Sequence, residues 1–228
     1  MHVDEPHSWN LSVKQARELQ KKLAQKIQIR TMPRQIKTVA GCDVAYNKES
    51  EQLIAGMVIL RFPDLTIIDE ITVSEPITFP YIPGYLSFRE APAILNLIKS
   101  YHRSIDLFLF DGHGIAHPRG LGIAAHIGVL INKPSIGCAK KRLIGTFEVP
   151  GEQKGSQTEL YYEGRVVGRV VRTKDRVKPI FISIGHAVNL GESVDFVLNC
   201  CLKYRLPEPT RLADVAVARA KSVSNFQV

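Results

Sequence analysis

Three carboxylates stand where they could do chemistry. Asp43 lies inside VAGCDVAY, in a run (Thr38–Tyr46) whose alternation puts Val39, Gly41, Asp43 and Ala45 on one face. A charged carboxylate among small apolar neighbours is costly unless it is paired or holds a cation. Gly41 and Ala45 leave room beside it; a salt-bridged core aspartate is the plainer alternative. Asp111 directly follows the apolar run Leu107–Phe110 and precedes Gly112. That places it at the carboxyl end of a buried strand, where open α/β sheets build their sites. Gly112 and Gly114 would let a ligand approach the backbone, although an Asp-Gly pair also makes an ordinary turn. Glu90 sits in LSFRE, where Ser87-x-x-Glu90 has capping-box spacing. With Ser87 as the cap, Pro92 would fall past the first turn and remove a helix hydrogen bond. A helix starting nearer Arg89–Ala91 fits better and frees Glu90 to point elsewhere. Lys140, Lys141 and Arg142 follow a second short apolar run, Ser135–Ala139. Carboxylates that hold Mg²⁺ beside lysines that hold phosphate would serve phosphodiester chemistry. Solvated loop charges would read the same way.

Two loops add recognition chemistry. In Pro80-Tyr81-Ile82-Pro83-Gly84-Tyr85, two prolines withhold N–H groups and stiffen an apolar tip. Such a tip could wedge between stacked bases, or Tyr81 could simply pack on the core. His117-Pro118-Arg119 lies in a glycine-rich stretch; His117 is either a base-contacting donor or a structural hydrogen-bonder.

These residues need elements to hold them. Residues 12–30 read as a basic amphipathic helix, with Val13, Ala16, Leu19, Leu23 and Ile27 at helical spacing and a Ser12/Gln15 capping box. Runs at 38–46, 53–62 and 66–74 with short connections predict an antiparallel meander. Then come a helix at 90–102, a buried strand at 107–110, a helix ending near 132, a strand at 135–139 and a hairpin over 158–172 around Glu163-Gly164. A strand at 181–184 and helices at 192–204 and 210–221 finish the chain. The expectation is an α/β fold: a mixed sheet, meander then β-α-β, with helices on both faces. By analogy of element order this is an RNase H-like fold.

Composition is globular, with 45% hydrophobic and 23% charged residues among 228. A chain of this length suits a single domain over 1–228, and burying ~70% of its unfolded surface needs no disulfide or metal to fold. No apolar run is long enough to span a bilayer, and MHVDEPHSW lacks a signal peptide's apolar core. The four cysteines show neither C-x-x-C nor zinc spacing, so reduced thiols in a cytoplasmic protein are expected. The net charge of +8 is uneven: residues 1–40 hold 8 basic and 3 acidic side chains, 41–100 hold 4 and 8, and 165–228 hold 11 and 5. An acidic centre with basic flanks suits a metal site on a polyanion, and a uniformly basic surface is not expected.

VAGCDVAY, PYIPGYLSFRE, FDGHGIAHPRGLGIAAHIGV, IGCAKKRLIG, SIGHAV and YRLPEPTRLAD, taken together, resemble the endonuclease V (deoxyinosine 3′ endonuclease) family, in family order from about residue 38 to 219. The resemblance implies an RNase H-like fold and Mg²⁺-dependent hydrolysis, with Mn²⁺ a substitute. It implies cleavage of the second phosphodiester 3′ to a deaminated purine in double-stranded DNA, leaving 3′-OH and 5′-phosphate ends. Inosine-containing single-stranded RNA is the alternative substrate, and a monomer is expected. By the resemblance Asp43 and Asp111 are metal ligands, Glu90 the third carboxylate and Lys140 the lysine near the scissile phosphate. Pro80, Tyr81, Ile82 and Pro83 form the strand-separating wedge. Gly84, Leu86, Gly112, His117, Gly122 and Ile123 form the pocket for a flipped hypoxanthine. Asp214 falls where members carry Asp or His near the metal; the bland reading puts it in the first turn of its helix, where acids complement the dipole. Cys138 and Ala187 depart from the family's usual apolar and basic residues.

Overall fold

The computed structural model describes residue 3 and residues 7–224. Most of the acid-bearing start of MHVDEPHSW (residues 1, 2 and 4–6) lies outside the described residues, as do 225–228. Strands β1 (Thr38–Asn47), β2 (Gln52–Arg61) and β3 (Ile67–Pro76) form the antiparallel meander. Strands β4 (Leu107–Phe110) and β5 (Ser135–Ala139) extend it in parallel from β1. The hairpin β6 (Gln157–Tyr162) and β7 (Arg165–Val171) and then β8 (Ile180–His186) complete one eight-stranded sheet of order β3-β2-β1-β4-β5-β8-β7-β6. Glu163 and Gly164 both take positive φ at the hairpin tip, as a two-residue type I′ turn requires.

Period-two alternation divides the core. Ala40, Cys42, Met57, Ile59, Phe108 and Phe110 pack under α2 (Leu86–Ser100) and α3 (Ile123–Ile131). Val39, Val58, Leu60, Leu107, Leu109, Ile182 and Ile184 face α4 (Leu190–Asn199) and α5 (Glu208–Ser224). All four cysteines are buried and free. No described helix is long and apolar enough to cross a membrane.

Several boundaries differ from expectation. The first helix, α1, spans only Val13–Ala24, although its Ser12/Gln15 capping box forms as read. Helix α2 begins at Leu86, so Pro92 lies inside it. The first turn holds because Ser87, Phe88 and Ala91 are buried, and that packing offsets the hydrogen bond the proline removes. The Ser87 capping box does not form; Ser87 Oγ instead meets His126 Nδ1 at 3.0 Å. Helix α4 ends at Asn199, and α5 begins at Glu208, two residues early.

Helix α5 lies directly on the sheet. A Cβ on Gly41 would sit 2.0 Å from the Pro209 carbonyl, and one on Gly56 would sit 2.6 Å from Val217. The room that glycine leaves at position 41 is therefore taken by the start of α5, not by a ligand.

Candidate active site

Register brings the acids together. Cys42 pairs with Phe110 across the parallel β1–β4 ladder, so Asp43 and Asp111 follow one another on adjacent strands. The Asp111 amide donates to the Cys42 carbonyl at 3.2 Å and holds that alignment past the end of β4. Glu90 reaches the same place from the first half of α2, and Lys140 from the residue after β5. Lys140 Nζ lies 2.6 Å from Asp111 Oδ2 and 3.8 Å from Asp214 Oδ2. Asp214 is thus past the first turn of α5, half-exposed, and faces Lys140; it does not cap the helix dipole.

The electrostatics are those of crowded carboxylates. Burial, then repulsion from Asp111, pushes Asp43 up to about 7, against relief from Lys140. Burial, then Asp43 and Asp111, pushes Glu90 up to about 8. Asp111 is raised by burial despite its bond to Lys140. Burial alone would lower Lys140, but the bond to Asp111 and its acidic neighbours raise it overall. Each of these groups is short of positive charge. Among the described residues no three His, Cys, Asp or Glu form a ready-made metal cage. Mg²⁺ commonly takes one or two carboxylates and fills its remaining sites with water and phosphate oxygens. Asp43 and Asp111 fit such an open site.

A cavity of about 220 Å³ adjoins the acids, and it is lined by Gly84, Leu86, Gly112, His117, Gly122 and Ile123. Tyr81, Ile82 and Pro83 form its rim, while Pro80 does not reach it. Tyr81 is 68% exposed, so it does not pack on the core. Its floor is tight: a Cβ on Gly112 would lie 2.5 Å from Ile123, and one on Gly122 would lie 2.2 Å from the His113 carbonyl. His117 is buried and uses both ring nitrogens on backbone. Nδ1 accepts from the Arg119 amide at 3.2 Å, so Nε2 carries the proton and donates to the Gly84 carbonyl at 2.9 Å. It is a structural hydrogen-bonder, held neutral by burial that brings it down to about 4.

Two other residues here, both within the motifs quoted above, gain no role from the sequence alone. His113 lines the cavity; its Nε2 donates to the Lys141 carbonyl at 2.9 Å, and its buried Nδ1 has no partner. Arg205 donates to the Lys140 and Pro179 carbonyls at 2.7 and 2.8 Å and lends positive charge to Asp111. It fixes the backbone of Lys140 from 65 residues away, a pairing no local pattern announces.

A mixed sheet of this order, with Asp43 in β1, Asp111 just past β4 and Lys140 just past β5, has the arrangement of a nuclease of the RNase H-like class. The comparisons agree: the Endonuclease V family model matches residues 19–215. Endonuclease V of Gloeobacter violaceus is 49% identical over 210 residues, covering 91% of this chain and 85% of that protein. The crystal structure of Endonuclease V from Streptomyces avermitilis superposes with a TM-score of 0.91 at 36% identity, covering 99% of this chain and 100% of that one. Ciona intestinalis Endonuclease V, in complex with a 24mer DNA containing an inosine followed by a ribo-adenosine, gives a TM-score of 0.79 at 30% identity over 91% of this chain and 97% of that one. The chain belongs to the Endonuclease V family.

Proposed function

We propose that the protein is a Mg²⁺-dependent DNA-repair endonuclease that recognises deoxyinosine in duplex DNA. It hydrolyses the second phosphodiester 3′ to the lesion and leaves 3′-OH and 5′-phosphate ends. One observation carries this reading: Asp111, in the acid cluster, is joined through a single peptide bond to Gly112, in the cavity wall. A base held in the cavity is thereby tied to a strand passing the carboxylates. The Ciona relative's inosine-containing ligand supports the same substrate.

Asp43 and Asp111 would hold the metal. When bound, Mg²⁺ neutralises charge on the scissile phosphate and eases ionisation of the attacking water. Glu90, with its affinity for protons raised, is placed to take a proton from that water. Lys140 Nζ, already among the acids, faces the developing charge, and Asp214 steers Lys140 from α5. Tyr81, at the rim with Ile82 and Pro83, fills the gap left by an extruded base. Apolar side chains such as Leu86, Leu121 and Ile123 would pack on the faces of the base, and the backbone at Gly112 and Gly122 leaves peptide groups open to its edge.

A nicking assay on matched substrates tests this. An inosine-containing duplex should be cut between the first and second nucleotides 3′ to the lesion with Mg²⁺ or Mn²⁺ and left intact in EDTA. Inosine-containing single-stranded RNA is the comparison; faster cutting of the RNA would reassign the substrate, and cutting in EDTA would remove the metal.

A further inference from the structure

The base-sized cavity is built from two loops, and one buried side chain of α1 joins them. Gln20 is fully buried. Its Nε2 donates to the Gly84 carbonyl at 3.0 Å on one wall and reaches the Leu121 carbonyl at 3.5 Å on the other. Its Oε1 accepts from Arg119 Nε. Arg119 in turn donates to the same Gly84 carbonyl at 2.6 Å and stacks over the Tyr85 ring at 4.3 Å. With His117 at 2.9 Å, three donors converge on one carbonyl oxygen. Gly84 has φ +78, and a Cβ there would meet Arg119 at 2.9 Å. The peptide at the base of the wedge is therefore clamped in a conformation that glycine alone tolerates.

We infer that Gln20 is a positioning residue for lesion recognition: it sets the spacing between the wedge loop and the glycine-rich loop, and so the width of the base pocket. This rests on the inosine reading above. Gln20 touches neither the acids nor the substrate, so its effect falls on discrimination and not on the chemical step. The clamp also occupies the Gly84 carbonyl, which leaves that oxygen unable to accept from a bound base.

The test is Gln20→Leu, with Gln20→Glu as the isosteric second variant. The glutamate keeps the bond from Arg119 and loses both donated bonds. Duplex binding without metal and single-turnover nicking with Mg²⁺ are measured on inosine-containing and undamaged DNA, below the thermal transition of each variant. In both variants the Kd for the inosine duplex should rise about tenfold, in line with the loss of two or three buried hydrogen bonds, one of them long. The Kd for undamaged duplex and the saturating nicking rate should each change less than about twofold. Equal weakening on both duplexes, or a slower saturating rate with an unchanged Kd, would mean that Gln20 only supports the fold and would overturn the inference. A wild-type protein with no preference for inosine would instead sink the proposed function and the inference with it.

Discussion

Glu90→Gln isolates the cost of charge in the acid cluster. Glu90 has an ordinary value of 4.5 and is held near 8, so the sign is fixed: its folded form binds the proton more tightly than its unfolded form. Stability from the protonated group is complete below pH 4.5 and is lost as pH rises through 8. Ionisation of this one group then costs the fold about 2 kcal/mol at pH 6 and about 5 kcal/mol at pH 9. Glutamine matches the protonated acid in shape and does not ionise. In EDTA, the wild type should lose about 3 kcal/mol more than Glu90→Gln between pH 6 and pH 9, on the order of 10 °C in Tm for a chain of this size. Denaturant unfolding at both pH values reads this directly. Mg²⁺ at pH 9 should restore much of the wild-type loss by neutralising the neighbouring carboxylates. Parallel pH profiles for the two proteins would refute the argument, since a Glu90 that is already ionised and solvated would impose no such penalty.

The same chemistry yields further expectations. Asp43→Asn and Asp111→Asn should each lower Mg²⁺-dependent nicking by at least a thousandfold while inosine-duplex binding in EDTA persists, as gel shift and single-turnover assays would show; full activity in either would break the metal assignment. Apparent Mg²⁺ affinity of the wild type should climb from pH 6 to about 8 and then level off, because the ion must displace protons held by Asp43 and Glu90; calorimetry showing a flat profile would contradict it. Tyr81→Ala should weaken inosine-duplex binding about tenfold, in keeping with a lost base-stacking contact, yet leave Tm within about 1 °C because the ring is exposed. Binding should also fall steeply with salt while the preference for inosine survives, and salt-insensitive binding would deny the basic rim its role.

Much of the site was legible where local pattern decides it. Alternation placed Asp43, the all-apolar run before Asp111 placed the strand end, and the proline-punctuated loop marked the rim at Tyr81, Ile82 and Pro83, though not at Pro80. The six pocket residues were read from the resemblance, and they do line one cavity. What stayed hidden depends on distant segments. Nothing near Gly41 says that Pro209 will rest on it, and nothing near Gln20 says that its amide will span the two loops at 84 and 121. The start of α2 was misjudged because a local rule about Pro92 was weighed against a cap, when burial of Phe88 and Ala91 outweighed both. For Asp214 it is the bland first-turn alternative that fails: α5 starts two residues earlier, and Asp214 lies on the face that meets Lys140.

The seat of α5 on Gly41 and Gly56 bears on how the protein is made. These glycines leave the ribosome long before the helix that covers them, which begins only at Glu208. At about 5–20 residues per second, the meander waits roughly 10–30 s with that face bare. Over that interval Asp43 faces solvent on a nascent chain, without Lys140 for the first part and without Asp214 throughout. A chain cut short before residue 208 would therefore have an uncovered sheet face and an incomplete acid cluster. Vectorial synthesis thus leaves the acid cluster incomplete until α5 has been made.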